Sequence, residues 1–260
     1  MIAKFSEALS LLARHLGLFA AIILTVWLPG NLVLNYLAYN ADGGGDLNFV
    51  KLAMWIEGIF GPIYIGAMMH ALFEIKSGRT VTYRQAMAVG FRKWGALFAA
   101  RFVAQLLIGL GLIAFLIPGL MLAVRYALLD AAVVIDGEGV SGSRARSTQL
   151  TAGRRWQILG AAVLFCFVFT VFSAALYLPL AFFESLDVMP VELALDCIGD
   201  VAFAVLQIAL FLYYWEATEN ERSTEESPAP EDDDAAPAWD AAAAQEAAGA
   251  DDNPFRSPMS

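Results

Sequence analysis

Six ionisable side chains fall deep inside otherwise apolar stretches of this chain: Glu57, Arg101, Arg125, Asp130, Asp196 and Asp200. A charge within hydrocarbon costs at least about 2.5–3.5 kcal/mol, so such a group faces the protein interior and takes a partner. Depth along a helix, counted at about 1.5 Å per residue, suggests the partners. Glu57, Arg125, Asp196 and Asp200 come out at about 12, 10, 8 and 14 Å from one boundary, a common layer. Arg101 and Asp130 lie at roughly 8–10 Å from the other boundary, on the two arms of a hairpin, and form a candidate pair. Two chemistries suit the layer. Three acids against one Arg leave a surplus of negative charge to be neutralised by a proton or an ion, as in a transport pathway. The same groups also suit a salt bridge locking three helices, with the spare acids protonated or reached by water.

The remaining reactive residues suggest no catalyst. His15 and His70 have no Cys or carboxylate at ligand spacing, so they read as interfacial polar residues. Cys166 and Cys197 sit inside apolar runs and form neither a disulfide framework nor a metal motif. There is no Gly-rich phosphate loop after a strand and no Gly-x-Ser-x-Gly nucleophile turn. The expectation is a non-enzymatic protein with no cofactor and no metal.

The elements that must position these charges follow from composition. The chain is 59% hydrophobic and 16% charged, with a mean hydropathy of +0.60. An ordinary soluble domain has about 45–50% apolar and about 25% charged residues, so a water-soluble enzyme is excluded. The net charge of −10 belongs to the tail: residues 216–260 hold 13 acids and two Arg, leaving 14 basic and 13 acidic residues before them. That balance argues against nucleic acid as a partner.

Apolar segments of about 20 residues span a hydrocarbon core. Six occur, at about 16–39, 49–73, 94–116, 118–135, 156–180 and 191–215. The third and fourth are separated only by Ile117-Pro118-Gly119 and make an antiparallel hairpin. The expected fold is all-α: a polytopic integral membrane protein with six transmembrane helices and short amphipathic cytoplasmic helices. Residues 1–217 form the membrane domain, and 218–260 an acidic, Pro- and Ala-rich disordered cytoplasmic tail. Lys and Arg collect before the first, third and fifth spans, whereas the alternate loops contain only Lys51 beside Asp42, Asp46, Glu184 and Asp187. The positive-inside rule then puts both termini in the cytoplasm. The long first apolar region, with no small-x-small site after it, argues against a cleaved signal peptide.

Each of those three spans follows a polar leader: SEALSLLARHLGLFAA, TYRQAMAVGFRKWGALFAA and SRARSTQLTAGRRWQILGAA. The shared plan is a weak internal repeat. Phe5, Leu9, Leu12 and Leu16 make one apolar stripe, as do Tyr83, Met87, Phe91 and Trp94. Thr82 and Gln85 suit a capping box. Trp94, Trp156, Arg92, Lys93, Arg154 and Arg155 read as interfacial anchors, their helices either meeting anionic headgroups or flooring the bundle. Gly58, Gly61, Gly66, Gly109 and Gly111 suit close helix contacts or kinks.

The stretch IPGLMLAVRYALLDAAVVIDGEGVSGSRARSTQLTAGRRWQIL carries a recognisable pattern: Pro118-Gly119, Arg125, Asp136-Gly137, Ser147, then Gly153 and Trp156. It resembles the bacterial six-helix family that includes the membrane domain of glycerophosphoryl diester phosphodiesterases and its YciC-type relatives. The resemblance implies a bacterial inner-membrane protein, without phosphodiesterase activity, because the catalytic barrel of those enzymes has no counterpart here. The expected role is a scaffold or accessory protein linked to lipid or envelope function. Its partners would be the lipid bilayer and a membrane or cytoplasmic protein. The alternative is a small transporter or ion-conducting protein using Glu57, Arg125 and Asp200.

Overall fold

The computed structural model describes residues 2–40, 47–183 and 188–226. Asp42, Asp46, Glu184, Asp187 and the acidic tail from 227 onward lie outside them. The chain divides into one unit over Met1–Glu219 and a second over Asn220–Ser260. In the second, the part described is helical through Glu226, with Thr224 Oγ1 donating to the Asn220 carbonyl at 2.8 Å.

Every described element is helical, in the order α1 (Ile2–Arg14), α2 (Leu16–Asn40), α3 (Leu47–Lys76), α4 (Tyr83–Ala114), α5 (Leu116–Arg125), α6 (Leu129–Ala131), a π-helical turn (Ala132–Asp136), α7 (Val140–Leu150), α8 (Arg155–Phe182) and α9 (Met189–Glu226). Six helical stretches are long and apolar enough to cross a membrane, as the composition requires. The leader of the first span is the separate helix α1 and that of the fifth is α7. The leader of the third is continuous with its span, so α4 begins at Tyr83. The Thr82 hydroxyl accepts from the Gln85 N–H, and Gln85 Oε1 accepts from the Thr82 N–H at 2.9 Å, the capping box expected there.

Three boundaries depart from the sequence expectation. The hairpin between α4 and α5 turns at Phe115, the residue in extended conformation, whereas Pro118-Gly119 lies in the first turn of α5. Proline is tolerated there because the N–H it lacks has no intrahelical acceptor. A side chain on Gly119 would collide with Leu112 of α4, which explains the glycine. The fourth span is not one helix: it breaks after Arg125 and resumes at Leu129. Finally, α9 continues past 215 to Glu226, since no proline follows until Pro228 and Glu, Ala and Arg favour helix.

The break after Arg125 lies within a span, where loose backbone groups are tolerated only if the protein satisfies them. Ser147 of α7 does so twice. Its hydroxyl donates to the Arg125 carbonyl at 2.7 Å and accepts from the Leu128 N–H at 3.2 Å. Gly137 closes the π turn at φ +74°, and Gly153 makes the α7–α8 reversal, also at φ +74°. Asp136 accepts from the Tyr214 hydroxyl at 2.6 Å and from Arg146 Nε at 3.4 Å. The residues of the recognisable pattern are thus largely fold-holding.

Packing is uneven along the bundle. Residues 61–69 of α3 are buried, whereas most of 50–60 are half-buried or exposed; α9 repeats this, with its core in 204–218. Phe19, Ile65, Met68, Ile208, Phe211 and Tyr214 are fully buried in this half. Gly66 and Gly90 let α3 and α4 meet there, since a Cβ on Gly90 would strike the Ile63 carbonyl. Gly58, Gly61 and Gly109 have open space instead, so of the two roles expected, close contact or kink, they do not fill the first. The same end is laced by ion pairs. Lys4 of α1 pairs with Glu216, Arg154 reaches Glu216 at 3.0 Å, and Lys76 reaches Glu7 at 2.8 Å. The opposite end is more exposed.

Candidate functional site

The less tightly packed half holds an open cavity of about 620 Å³ between α2, α3, α8 and α9. Two of its walls face each other in register. Asn31 and Asn35 are four residues apart on α2; Asp196 and Asp200 are four apart on the antiparallel α9. That spacing puts each pair on one helix face, about 6 Å apart along the axis. Asn31 Nδ2 donates to Asp200 Oδ2 at 2.7 Å, and Asn35 Nδ2 donates to Asp196 Oδ2 at 2.7 Å. The Tyr177 hydroxyl of α8 donates to the other Asp196 oxygen.

Glu57 and Tyr64 of α3, Ser173 of α8 and Glu192 of α9 complete the polar lining. Glu57 is exposed in the bare protein and also lines a second cavity of about 340 Å³, which contains Arg101 and Gln105. Tyr64 is only 7% exposed, and its hydroxyl, which makes no hydrogen bond among the described residues, stays reachable from the cavity. Its ring meets Trp27 edge-on at 5.7 Å, and Phe169 meets Phe203 edge-on at 5.5 Å. The cavity therefore combines carboxylates, amides and aromatic rings. Among the described residues no Lys, Arg or His lines it.

Of the expected layer, Glu57, Asp196 and Asp200 come together here, and Arg125 does not. Arg125 ends α5, which packs against α4, α7 and α8. It makes no ion pair with those acids among the described residues, and its Nε is buried without a hydrogen-bond partner there. Depth alone does not fix partners, because two groups at one level can lie on different sides of a bundle. Sequence reasoning missed Asn31, Asn35, Tyr64 and Tyr177. The available signal was two Asn four apart in one apolar span, matching two Asp four apart in another.

The hairpin pair is present as a contact, with Arg101 Nη1 donating to Asp130 Oδ2 at 2.9 Å. The second Asp130 oxygen is buried and without a hydrogen-bond partner among the described residues. His15 sits at the α1–α2 junction, edge-on to Phe19 at 6.3 Å, and His70 is half-buried on α3; neither borders the cavity. No group of three His, Cys, Asp or Glu that could hold a metal occurs among the described residues. Cys166 is exposed and Cys197 half-buried, both free.

The expected anchors divide. Trp156 is exposed at 79%, and Arg92 is exposed, while Lys93 is half-buried. Trp94 instead donates its indole N–H to the Ile59 carbonyl at 2.6 Å, in the middle of α3, because α4 runs unbroken past the basic pair. Arg154 is engaged by Glu216, and Arg155 Nε is buried with no hydrogen-bond partner among the described residues.

A family model described as a domain of unknown function, DUF7847, matches residues 64–218. The chain is 26% identical over 169 residues to a UPF0259 membrane protein of Serratia proteamaculans (strain 568), covering 64% of this chain and 65% of that protein. It is 25% identical over 155 residues to a UPF0259 membrane protein of Yersinia pestis (strain Pestoides F), covering 58% of each. The chain thus spans 58–65% of the length of these relatives. No solved structure matches it. With the greater part of its length, including the Asp196 and Asp200 wall of the cavity, inside the matched segment, the chain belongs to the DUF7847 family of unknown function.

Proposed function

We propose that this membrane protein handles cations, taking a proton or a small cation into the acidic cavity as part of a transport or ion-conducting cycle. The observation that carries the reading is the cavity's charge: Glu57, Glu192, Asp196 and Asp200 border one space that no basic side chain borders among the described residues. Glu57 shares a second cavity with Arg101, but Asp196 and Asp200 have only neutral donors, and carboxylates so placed within a membrane need a cation or a proton. Under the positive-inside rule the tightly packed basic end is cytoplasmic, in a bacterial inner membrane, and the cavity opens on the outer side.

The accessory-protein reading has its own support. The basic end is closed by buried aromatics and by the Lys4–Glu216–Arg154 and Lys76–Glu7 pairs, so a rigid floor lies where a pathway would have to continue. A sensor that binds without transporting fits that closed floor, and the family resemblance in the α5–α8 region fits a membrane partner of lipid or envelope enzymes. Both readings are non-enzymatic.

Proteoliposomes separate them. Under an imposed gradient, the wild-type protein moves protons or monovalent cations, and Glu57→Gln with Asp200→Asn brings the flux to the empty-vesicle background while the protein stays folded. Flux equal in wild type, variant and empty vesicles refutes transport and leaves the accessory role.

A further inference from the structure

We propose that the cation received by this cavity is an organic ammonium ion. The inference rests on the cation-handling reading and names its ligand class. Three observations converge on it.

The first is the arrangement of the acids. Asp196 already accepts from Asn35 and Tyr177, and Asp200 from Asn31. The carboxylates are held on the walls by these donors and do not converge into a metal-holding group among the described residues. A divalent metal such as Ca²⁺ needs about six to eight oxygens at about 2.3–2.6 Å. Spread carboxylates supply a diffuse negative field, which suits a large cation of low charge density.

The second is the wall chemistry. Trp27, Tyr64, Phe169 and Phe203 offer rings in two edge-to-face pairs. Aromatic faces attract ammonium groups within about 6 Å of the ring centre and also cover their apolar methyl surface. A bare alkali ion gains nothing from the second effect. The third is Tyr64, nine-tenths buried and bordering the cavity, with a hydroxyl that has no partner among the described residues. Its oxygen is not sealed off and can be reached from the cavity. A ligand N–H or hydroxyl in the cavity supplies the partner. At about 620 Å³ the space falls within the range of small-molecule sites and exceeds what one hydrated ion requires.

Choline and its uncharged isostere 3,3-dimethyl-1-butanol test this directly, by calorimetric titration of the full-length protein in lipid nanodiscs. Choline is expected to bind. Glu57→Gln is expected to weaken it about tenfold or more by removing a charge that attracts the ammonium, and Trp27→Leu likewise, within reach of a desolvated cation–π contact. Glu57 is exposed in the bare protein, so its variant keeps the test valid if Trp27→Leu fails to fold. Equal binding of choline and the neutral isostere overturns the proposal by showing an apolar pocket only. Absence of choline binding, with proton or Na⁺ flux intact in proteoliposomes, overturns the ligand class and leaves cation handling standing. Absence of both binding and flux overturns the two together.

Discussion

Ser147→Ala removes one oxygen and releases two backbone groups. The Leu128 N–H and the Arg125 carbonyl both take their partner from this hydroxyl, because the helix break leaves neither with its usual i, i+4 mate. Ser147 is fully buried, so water cannot replace the lost oxygen without a rearrangement. A buried polar group left unsatisfied costs about 1–3 kcal/mol, and two of them give about 2–6 kcal/mol, less whatever the chain recovers by relaxing. Ser143 supplies the control. It is equally buried on the same helix, but its hydroxyl donates only to the Val140 carbonyl one turn back, at 3.3 Å. Ser143→Ala should therefore cost about 1 kcal/mol or less. Thermal unfolding in a single detergent, followed by tryptophan fluorescence, should rank wild type, Ser143→Ala and Ser147→Ala in falling order, with a clear gap before the last. Equal midpoints for the two variants would refute the claim that Ser147 holds the broken span together.

Arg101→Gln should destabilise the bundle by up to about 3–5 kcal/mol because it leaves Asp130 without its cation, and adding Asp130→Asn should recover much of the loss; a double variant no better than the single one removes the pairing. Arg125→Gln should not be rescued by Glu57→Gln with Asp200→Asn, since those acids are not its partners; recovery in the combined variant would restore the original layer. Gly90→Leu should reduce the folded yield sharply, as its side chain would meet the Ile63 carbonyl of α3, whereas Gly58→Leu, with open space around it, should not; equal yields would deny the α3–α4 contact. In a chain whose native cysteines are replaced by serine, Val188→Cys should react with an impermeant thiol reagent added outside intact cells and Thr80→Cys should not; the reverse pattern inverts the topology.

What the sequence made legible divides along one physical line. Features governed by one helix at a time could be read from it: six apolar lengths, the tight α4–α5 hairpin, the Thr82–Gln85 cap. Arg101 and Asp130 could be paired because the hairpin fixes both the depth and the neighbour. The Arg125 assignment failed because nothing local reports which side of the bundle a helix occupies. Pro118-Gly119 reads as the reversal, yet proline at the start of a helix is equally natural, and the turn lies three residues earlier at Phe115. Asn31 and Asn35 passed unnoticed because neutral amides carry no charge to be explained. Their role appears only when α9 is laid antiparallel to α2 and the two four-residue spacings coincide.

That coincidence bears on why the acids are tolerated where they are. A carboxylate within a bilayer is costly unless it is hydrogen-bonded or neutralised, and Asn31, Asn35 and Tyr177 supply donors to Asp196 and Asp200 without supplying charge. Had stability alone been served, an Arg opposite each Asp would have cancelled the negative field. Amide donors stabilise the carboxylates and keep the field available in the cavity. The work of holding the helices together falls instead to the opposite half, where aromatic and aliphatic packing and the Ser147 bridge do not depend on the cavity's occupancy. A consequence follows for any transport cycle. The ion pairs of α1 with α3 and α9 must open for a cation to leave at the basic end, so Lys4→Gln and Lys76→Gln should change flux while leaving choline affinity untouched. Binding altered by those two substitutions would show that the two halves are coupled, and would deny that the packed end is only a floor.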